Sequence, residues 1–257
     1  VSREMPGFPF NGKSVIGSKQ AMVLPEQPKK IIIIGAGAIG IEFAYFFNAF
    51  GTKVTVVEML PNILPVEDTE VSVALEKSLT KQGIRFLTGT KVDQAEVTDK
   101  GVKLTVSGRT NETLEAPIAL VAIGVASLLP EGLKVKLDPK GWIHTNDRYE
   151  TSMRGVFAAG DIIGPPWLAH VASFEAIQAV EGMFAGKSPR KVDVFPGCTY
   201  CEPQVASVGL TERAAKDKAL KYKVGKFPFM ASGKALAVGE SEGFVKIIFG
   251  EPHGEIL

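Results

Sequence analysis

The segment KKIIIIGAGAIGIEFAYFFNAFGTKVTVVE, Lys29 to Glu58, constrains the fold more than any other part of the chain. From Ile31 to Phe50 it is apolar-leaning throughout, broken only by Glu42 and Asn48. Three readings compete: a membrane span, a buried core helix, or a phosphate-binding turn. About 20 apolar residues suffice to cross a bilayer. However, Glu42 would then sit near mid-span at a cost of about 3 kcal/mol, and three glycines fall within six residues. Two elements account for the pattern better. KKIIII is a β-branched run bounded by glycine, as expected of a strand buried on both faces. After GAGAIG, apolar side chains recur at Ile39, Phe43, Phe46, Phe47 and Phe50, which is helical spacing, and Gly51 stands where a helix ends. TKVTVVE reads as a second strand, completing a βαβ unit.

Within that unit Gly35, Gly37 and Gly40 spell G-x-G-x-x-G between a strand and a helix, and Glu58 ends the second strand 18 residues past Gly40. This context is the dinucleotide-binding fingerprint. Gly35 permits the tight turn, Gly37 lets a pyrophosphate approach the backbone, and Gly40 lets the helix pack on the strand. The helix N-terminus offers free N–H groups and a positive dipole to the phosphates. A carboxylate at Glu58 would accept bonds from the adenosine ribose hydroxyls and repel a 2′-phosphate, favouring NAD(H) over NADP(H). The bland alternative is a glycine-rich corner with no ligand. Glu42, expected on the first helical turn, reads either as a carboxylate favoured by the dipole or as a group near the nicotinamide end of the cofactor. Spacing does not choose between them.

Composition narrows the class. The 257 residues allow more than one core. With 29 basic and 28 acidic side chains the net charge is +1, so neither a nucleic-acid face nor a polybasic membrane anchor is expected. Two cysteines are too few for a disulfide-stapled secreted domain. Val1 to Gln20 lacks the character of a signal peptide, and the expected location is cytoplasmic. Both ends read as cut, so the chain is expected to be a portion of a longer protein.

Beyond the fingerprint, LPVEDTEVSVALEKSLTKQG reads as a helix opened by Asp68 or Thr69 and closed by Gly83, and IRFLTG as a third strand. KVDQAEV, GVKLTVSG and TLEAPIALVAIG read as antiparallel strands inserted after the βαβαβ core, the last ending at Gly124. GVFAAGD reads as a short buried strand ending on Gly160-Asp161. Asp161 there is either a turn residue or a hydroxyl acceptor for a second ligand. A helix follows over roughly 169–184, with small residues at Ala172, Ala176, Ala179 and Gly182. From Pro189 a smaller α+β unit begins, with a helix start at Thr211-Glu212.

Together GAGAIGIEF…GTKVTVVE, TSMRGVFAAGDI…LAHVASFEA and PQVASVGLTE span nearly the whole chain. In that order they resemble the flavin-dependent disulfide reductases, and within them the dihydrolipoamide dehydrogenases. The resemblance implies an α/β architecture: a linker from an FAD domain over 1–27, a Rossmann-like NAD domain over 28–147, a central FAD-contacting segment over 148–187 and a partial α+β dimer-interface domain over 188–257. It implies that Gly35, Ala36, Gly37, Ala38, Ile39, Gly40, Glu42, Glu58, Val92 and Gly124 line an NAD site. It implies that Asp161 binds the ribityl chain of FAD and that Trp167, Leu168, Ala169 and His170 line the same FAD. The implied activity is oxidation of dihydrolipoamide by NAD⁺ through FAD and a redox disulfide. The implied partners are a second copy of the enzyme and a lipoyl-bearing acyltransferase or lipoyl carrier protein, with no nucleic acid and no membrane.

Departures qualify this. The family's N-terminal glycine fingerprint, its C-x-x-x-x-C redox pair and its C-terminal His-Glu dyad do not occur in the chain, and the loop after Gly124 is shorter than usual. No catalytic residue is assigned, and the chain alone is expected to be inactive. Cys198-Thr-Tyr-Cys201 invites a redox or zinc reading. There is no second C-x-x-C and no nearby histidine, and a Glu-Pro follows where a thioredoxin-like site needs a helix, so scaffold is the expected role and no metal is assigned. His144, His170 and His253 read as structural or lining residues. Two rivals stand beside the first reading. One is another flavin disulfide reductase, of the glutathione or mercuric reductase type, against which Glu58 counts because no arginine follows the second strand. The other is a non-catalytic NAD-binding or dimerisation module.

Overall fold

Four consecutive isoleucines at positions 31 to 34 leave no polar side chain to meet solvent, and the chain builds its main sheet around them. The computed structural model describes residues 1–189 and 194–257. They fall into two compact units, Val1 with Val125–Gly197, and Ser2–Gly124 with Cys198–Leu257.

In the latter unit, β1 (Val15–Ile16) leads through α1 (Ser18–Ala21) to β2 (Lys30–Ile34). Then come α2 (Ala38–Ala49), β3 (Lys53–Val57), α3 (Thr69–Lys81) and β4 (Arg85–Leu87). An antiparallel meander follows: β5 (Thr90–Thr98), β6 (Gly101–Gly108) and β7 (Glu112–Ala116). β8 (Ile118–Val121) then returns to the main sheet, whose order is β1-β8-β2-β3-β4 with every pairing parallel. β2 lies between β8 and β3, in register Ile33 to Leu120 and Ile33 to Val56. Its alternate side chains feed two cores. Ile31 and Ile33 join α2 and α3 through Ile41, Phe47 and Leu79, while Ile32 and Ile34 join the meander through Leu104 and Val106. A strand with apolar side chains on both faces has to be covered on both.

Two expectations change here. TLEAPIALVAIG is not one antiparallel strand. Pro117 lacks the N–H that a continuous ladder needs, so the run splits into β7 in the meander and β8 in the parallel sheet. The stretch 1–27, expected as linker, supplies β1 at the sheet edge, where Val15 and Ile16 are fully buried. Asp68 caps α3 by accepting the Glu70 N–H at 3.1 Å. α2 starts at Ala38, which places Glu42 on its second turn rather than its first.

The unit Val125–Gly197 holds α4 (Ala169–Phe184), over the range its spacing predicts. Its small residues do serve close contacts: a Cβ on Gly160 would lie 2.9 Å from the Ala172 Cβ, and one on Gly182 would lie 2.9 Å from Pro189. The strand expected at GVFAAGD is not formed. Phe157 makes a single antiparallel bridge to Glu150, and Gly160–Ile163 curls into a 3₁₀ turn. A strand exists only through a ladder, and among the described residues this run meets one bridging partner.

The remaining segment carries β9 (Gly197–Thr199), β10 (Val205–Ser207), α5 (Glu212–Asp217), β11 (Tyr222–Pro228), α6 (Gly233–Val238) and β12 (Phe244–Gly250). β9 and β10 pair, as do β11 and β12, the latter antiparallel. Thr211 caps α5 by accepting the Ala214 N–H, as the Thr-Glu start predicts. Lys246 of β12, only 6% exposed, ties this segment to α3: its ammonium pairs with Asp68 and Glu70 at 2.9 Å and with Glu212. Among the described residues no helix is long and apolar enough to cross a membrane, so the membrane reading of Ile31–Phe50 falls away.

Candidate functional site

The C-terminal ends of β2 and β8 lie side by side, while the chain leaves β2 toward β3 on the other side. The fingerprint therefore sits where the strand order reverses, which is where ligands bind in open α/β sheets. Backbone geometry assigns each glycine its task. Gly35 has φ +103°, and a Cβ there would lie 2.5 Å from the Ala122 carbonyl oxygen of the neighbouring strand's end. Gly40 is sterically obligatory as well, since its Cβ would fall 2.0 Å from the Gly35 carbonyl oxygen. Gly37 differs: it is the N-cap of α2, and a Cβ on it would meet nothing within 4 Å. No side chain caps α2, so its opening N–H groups and positive dipole remain available to an anion. The open face at Gly37 and the uncapped helix fit a bound pyrophosphate.

Glu58 is 7% exposed and doubly held. Its Oε2 accepts the Ala36 N–H and its Oε1 the Leu60 N–H, both at 2.8 Å. A carboxylate has about four acceptor positions, so two bonds fix its orientation and leave capacity for ribose hydroxyls. The Glu58 carbonyl accepts the Thr90 N–H at 2.9 Å, which brings the start of β5 beside it. Val92, two residues on, sits at a register irregularity in β5 and packs against the second core. Gly124, at φ +111°, has open space where a Cβ would go. The structure thus groups Gly35 to Gly40, Glu58 and Gly124 around one end of the sheet.

Glu42 accepts the Tyr200 N–H at 2.9 Å, an interaction no sequence pattern signals because the donor is a backbone group 158 residues away. Arg109 was also missed. It lies in the β6–β7 turn, and its guanidinium reaches the Pro61 carbonyl, three residues past Glu58. No cation follows β3 directly in sequence; this one is delivered by a hairpin 48 residues past Pro61.

In the unit Val125–Gly197, Asp161 is exposed in the 3₁₀ turn, and its carboxylate has no hydrogen-bond partner among the described residues. Trp167, 41% exposed, packs edge-on against Trp142 at 5.9 Å between ring centres. Leu168 is the N-cap of α4, Ala169 its exposed first residue, and His170 shares a 3.0 Å hydrogen bond with the Pro196 carbonyl. Trp167 to His170 are thus grouped at the start of one 16-residue helix, with Asp161 in the 3₁₀ turn that precedes it.

Of the C-x-x-C pair, Cys201 is the buried member. Both cysteines are free, Cys201 is buried in the main core, and its thiol donates to the Pro203 carbonyl at 3.2 Å. Burial, with the nearby Glu42 and Glu202 charges, pushes that thiol up to about 12. Thiolate is the reactive form, so Cys201 is a poor nucleophile. Asp68, Glu70 and Glu212 cluster as metal ligands might, but the Lys246 ammonium pairs with all three. That cation already supplies the charge a metal would bring.

Residues 2–176 match the family described as pyridine nucleotide-disulphide oxidoreductase, and residues 195–257 match its dimerisation domain. The chain belongs to this family. It is 44% identical over 263 residues to a dihydrolipoyl dehydrogenase of Chlorobaculum tepidum, with 99% of this chain and 56% of that protein covered. It is 44% identical over 265 residues to the dihydrolipoyl dehydrogenase of Bacillus subtilis, with 99% and 55% covered. Among solved structures, LpdA from Mycobacterium tuberculosis superposes with a TM-score of 0.87 at 25% identity, over 99% of this chain and 56% of that one. The chain thus spans little more than half the length of the relatives it matches. The α/β fold with a pyridine-nucleotide unit and a dimerisation segment agrees with the architecture expected from the sequence.

Proposed function

We propose that this chain is the NAD-binding, flavin-contacting and dimerisation portion of a dihydrolipoyl dehydrogenase. In it, 28–147 holds NAD, 148–187 contacts FAD and 188–257 contributes to a homodimer. Its reaction would be oxidation of dihydrolipoyl groups, carried by an acyltransferase or lipoyl carrier protein, with NAD⁺ as acceptor. The observation that carries this reading is Glu58, a buried carboxylate oriented by two N–H groups at the end of β3 and beside the fingerprint. The named relatives support the choice of substrate class.

In this reading the N–H groups opening α2 bind the pyrophosphate, and Gly37 allows its close approach. Glu58 accepts the adenosine ribose hydroxyls and makes a 2′-phosphate unfavourable. Glu42, steadied by the Tyr200 N–H, borders the nicotinamide end, and Val92 and Gly124 complete the walls. Asp161 accepts ribityl hydroxyls, and 167–170 line the flavin edge. When bound, FAD supplies a two-electron relay between a dithiol and NAD⁺. Cys198 and Cys201, the chain's two cysteines, take no part in dithiol exchange.

Calorimetric titration tests this. NADH should bind more tightly than NADPH. Glu58→Arg should weaken NADH by about tenfold, a loss of roughly 1.4 kcal/mol, and NADPH by less. Equal losses for both nucleotides would remove the ribose role from Glu58.

A further inference from the structure

Arg109 stands outside everything assigned above, yet it is wired to the carboxylate on which nucleotide choice depends. The β6–β7 turn folds back over the start of β5. Thr90 pairs with Gly108, and the Arg109 N–H donates to the Gly89 carbonyl at 3.0 Å. Gly89 has φ +60°, and a Cβ there would lie 2.9 Å from the Arg109 side-chain stem. A residue with no side chain therefore lets the arginine lie flat across this turn. The stem then carries the guanidinium to the loop that follows Glu58, where Nη1 donates to the Pro61 carbonyl at 3.5 Å.

That loop is held from two sides. The Gly89 N–H donates to the Leu60 carbonyl at 2.8 Å. The Leu60 N–H donates to Glu58 Oε1 at 2.8 Å. A closed path thus runs from the Arg109 backbone through Gly89 and Leu60 to the Glu58 carboxylate, and the guanidinium on Pro61 braces the next peptide of the same loop. Glu76 of α3 stands near as the counter-charge: burial raises its carboxyl above the ordinary range, and the Arg109 charge opposes that rise. Met59, Leu60 and Pro61 are all exposed, so packing alone does not fix this loop. The bonds from Gly89 and Arg109 do.

We propose that Arg109 is a positioning residue for dinucleotide choice, bracing the Leu60–Pro61 loop so that the Leu60 N–H keeps Glu58 aimed at the adenosine ribose. This rests on the reading of Glu58 as the ribose-binding carboxylate. Without the guanidinium on Pro61 the loop is held by the Gly89 N–H alone, the Leu60 N–H grips Glu58 less firmly, and the carboxylate swings more freely. Its attraction for ribose hydroxyls and its repulsion of a 2′-phosphate both weaken, and the NADH and NADPH affinities move toward each other. Lysine would keep a cation near Glu76 but carries its charge on a flexible stem without the rigid guanidinium plane that reaches Pro61, so its effect should be intermediate.

The test is a double-mutant cycle read by titration of NADH and NADPH, with melting curves on each protein. Arg109→Ala should weaken NADH about fivefold, leave NADPH unchanged or tighter, and shift melting little, because the side chain is exposed. In a Glu58→Gln background the same change should have no effect on the NADH:NADPH ratio, since coupled residues fail to add. A ratio unchanged by Arg109→Ala in the wild-type background, or an equal shift in both backgrounds, overturns the proposal and leaves the Glu58 reading intact. If Glu58→Gln itself leaves the ratio unchanged, the Glu58 reading is overturned, and the role of Arg109 with it.

Discussion

The turn at Gly35–Gly40 and the turn at Gly160–Asp161 both join an apolar run to a helix, but they are held very differently. The first follows a strand flanked on both sides by parallel neighbours, and its outer glycines are pinned against backbone oxygens of Ala122 and of Gly35 itself. The second follows a run with one bridge, Glu150 to Phe157, and is steadied by the Gly160 N–H donating to Glu175 Oε2 at 2.7 Å and the Ile143 N–H donating to the Ile162 carbonyl at 2.9 Å. Where a turn's partners are backbone atoms of a packed sheet, conformation is overdetermined. Where they are one side chain, one loop N–H and one bridge, with no packed sheet behind them, the turn is set locally and weakly. The variants below probe that contrast, in decreasing order of expected cost.

The largest effect belongs to Gly40→Val. A Cβ 2.0 Å from the Gly35 carbonyl oxygen has no rotamer that relieves it, so α2 must separate from β2. We expect a loss of about 4 kcal/mol or more, read by urea unfolding. Gly160→Ala, at φ +76° with the Ala172 Cβ 2.9 Å away, should cost only about 1–2 kcal/mol. Comparable losses would erase the distinction between the two turns.

That distinction also explains what the sequence disclosed. The βαβ unit was legible because its signals are local: four isoleucines, three glycines, a helical stripe and a closing carboxylate, all within Lys29–Glu58. α4 was legible for the same reason, through its apolar and small-residue spacing. The strand expected at GVFAAGD was not formed because a buried run specifies apolarity but not the neighbour that would complete a ladder. The division at Pro117 was open to reading, since proline interrupts a ladder, but the alternation on either side of it suggested continuity. Within the candidate site, Glu58 was found and its two N–H donors were not, because backbone atoms leave no trace in residue type. Arg109 was passed over because the hairpin that delivers it lies 48 residues from Pro61.

A third variant tests whether the well-held turn draws support from the segment 198–257. Lys246→Met would leave Asp68, Glu70 and Glu212 facing one another without their common cation. The three carboxylates are partly exposed, so water screens their repulsion and the cost should be about 1 kcal/mol. The effect should depend on pH in a definite direction. Burial alone raises Asp68, but bonds from Lys246 and from two N–H groups bring it below the ordinary carboxylate range; Glu70 and Glu212 are lowered chiefly by Lys246. Groups with lowered folded values stabilise above their unfolded value, about pH 4, and lose that stabilisation as pH falls through the folded one. The difference between wild type and Lys246→Met should therefore be full near neutral pH and shrink below about pH 4. Burial alone would lower Lys246, but its three carboxylate partners hold it above the ordinary range, so its contribution is lost only at strongly alkaline pH. A deficit that stayed constant into acid would show that the charge cluster is not its source.

Glu175→Ala probes the weaker turn directly. It removes the acceptor of the Gly160 N–H, and we expect about 1 kcal/mol with faster amide exchange confined to the neighbourhood of 158–164. Glu175→Gln keeps an acceptor oxygen and should restore most of the protection. Exchange that spread through β2 and β8 would mean the two turns are not independently held.

Gly37→Ala has the smallest effect on stability and the most telling effect on function. Its φ of −70° is ordinary for alanine, and the new methyl meets nothing within 4 Å. Stability should change by less than about 0.5 kcal/mol. The added methyl would nevertheless project into the space through which a pyrophosphate reaches the helix N-terminus, so NADH affinity should fall by about tenfold or more. The three glycines then separate by experiment: Gly35 and Gly40 are required by the fold, and Gly37 by the ligand. A Gly37→Ala protein that folds normally and binds NADH as well as wild type would place the phosphates elsewhere and leave this turn a structural corner alone.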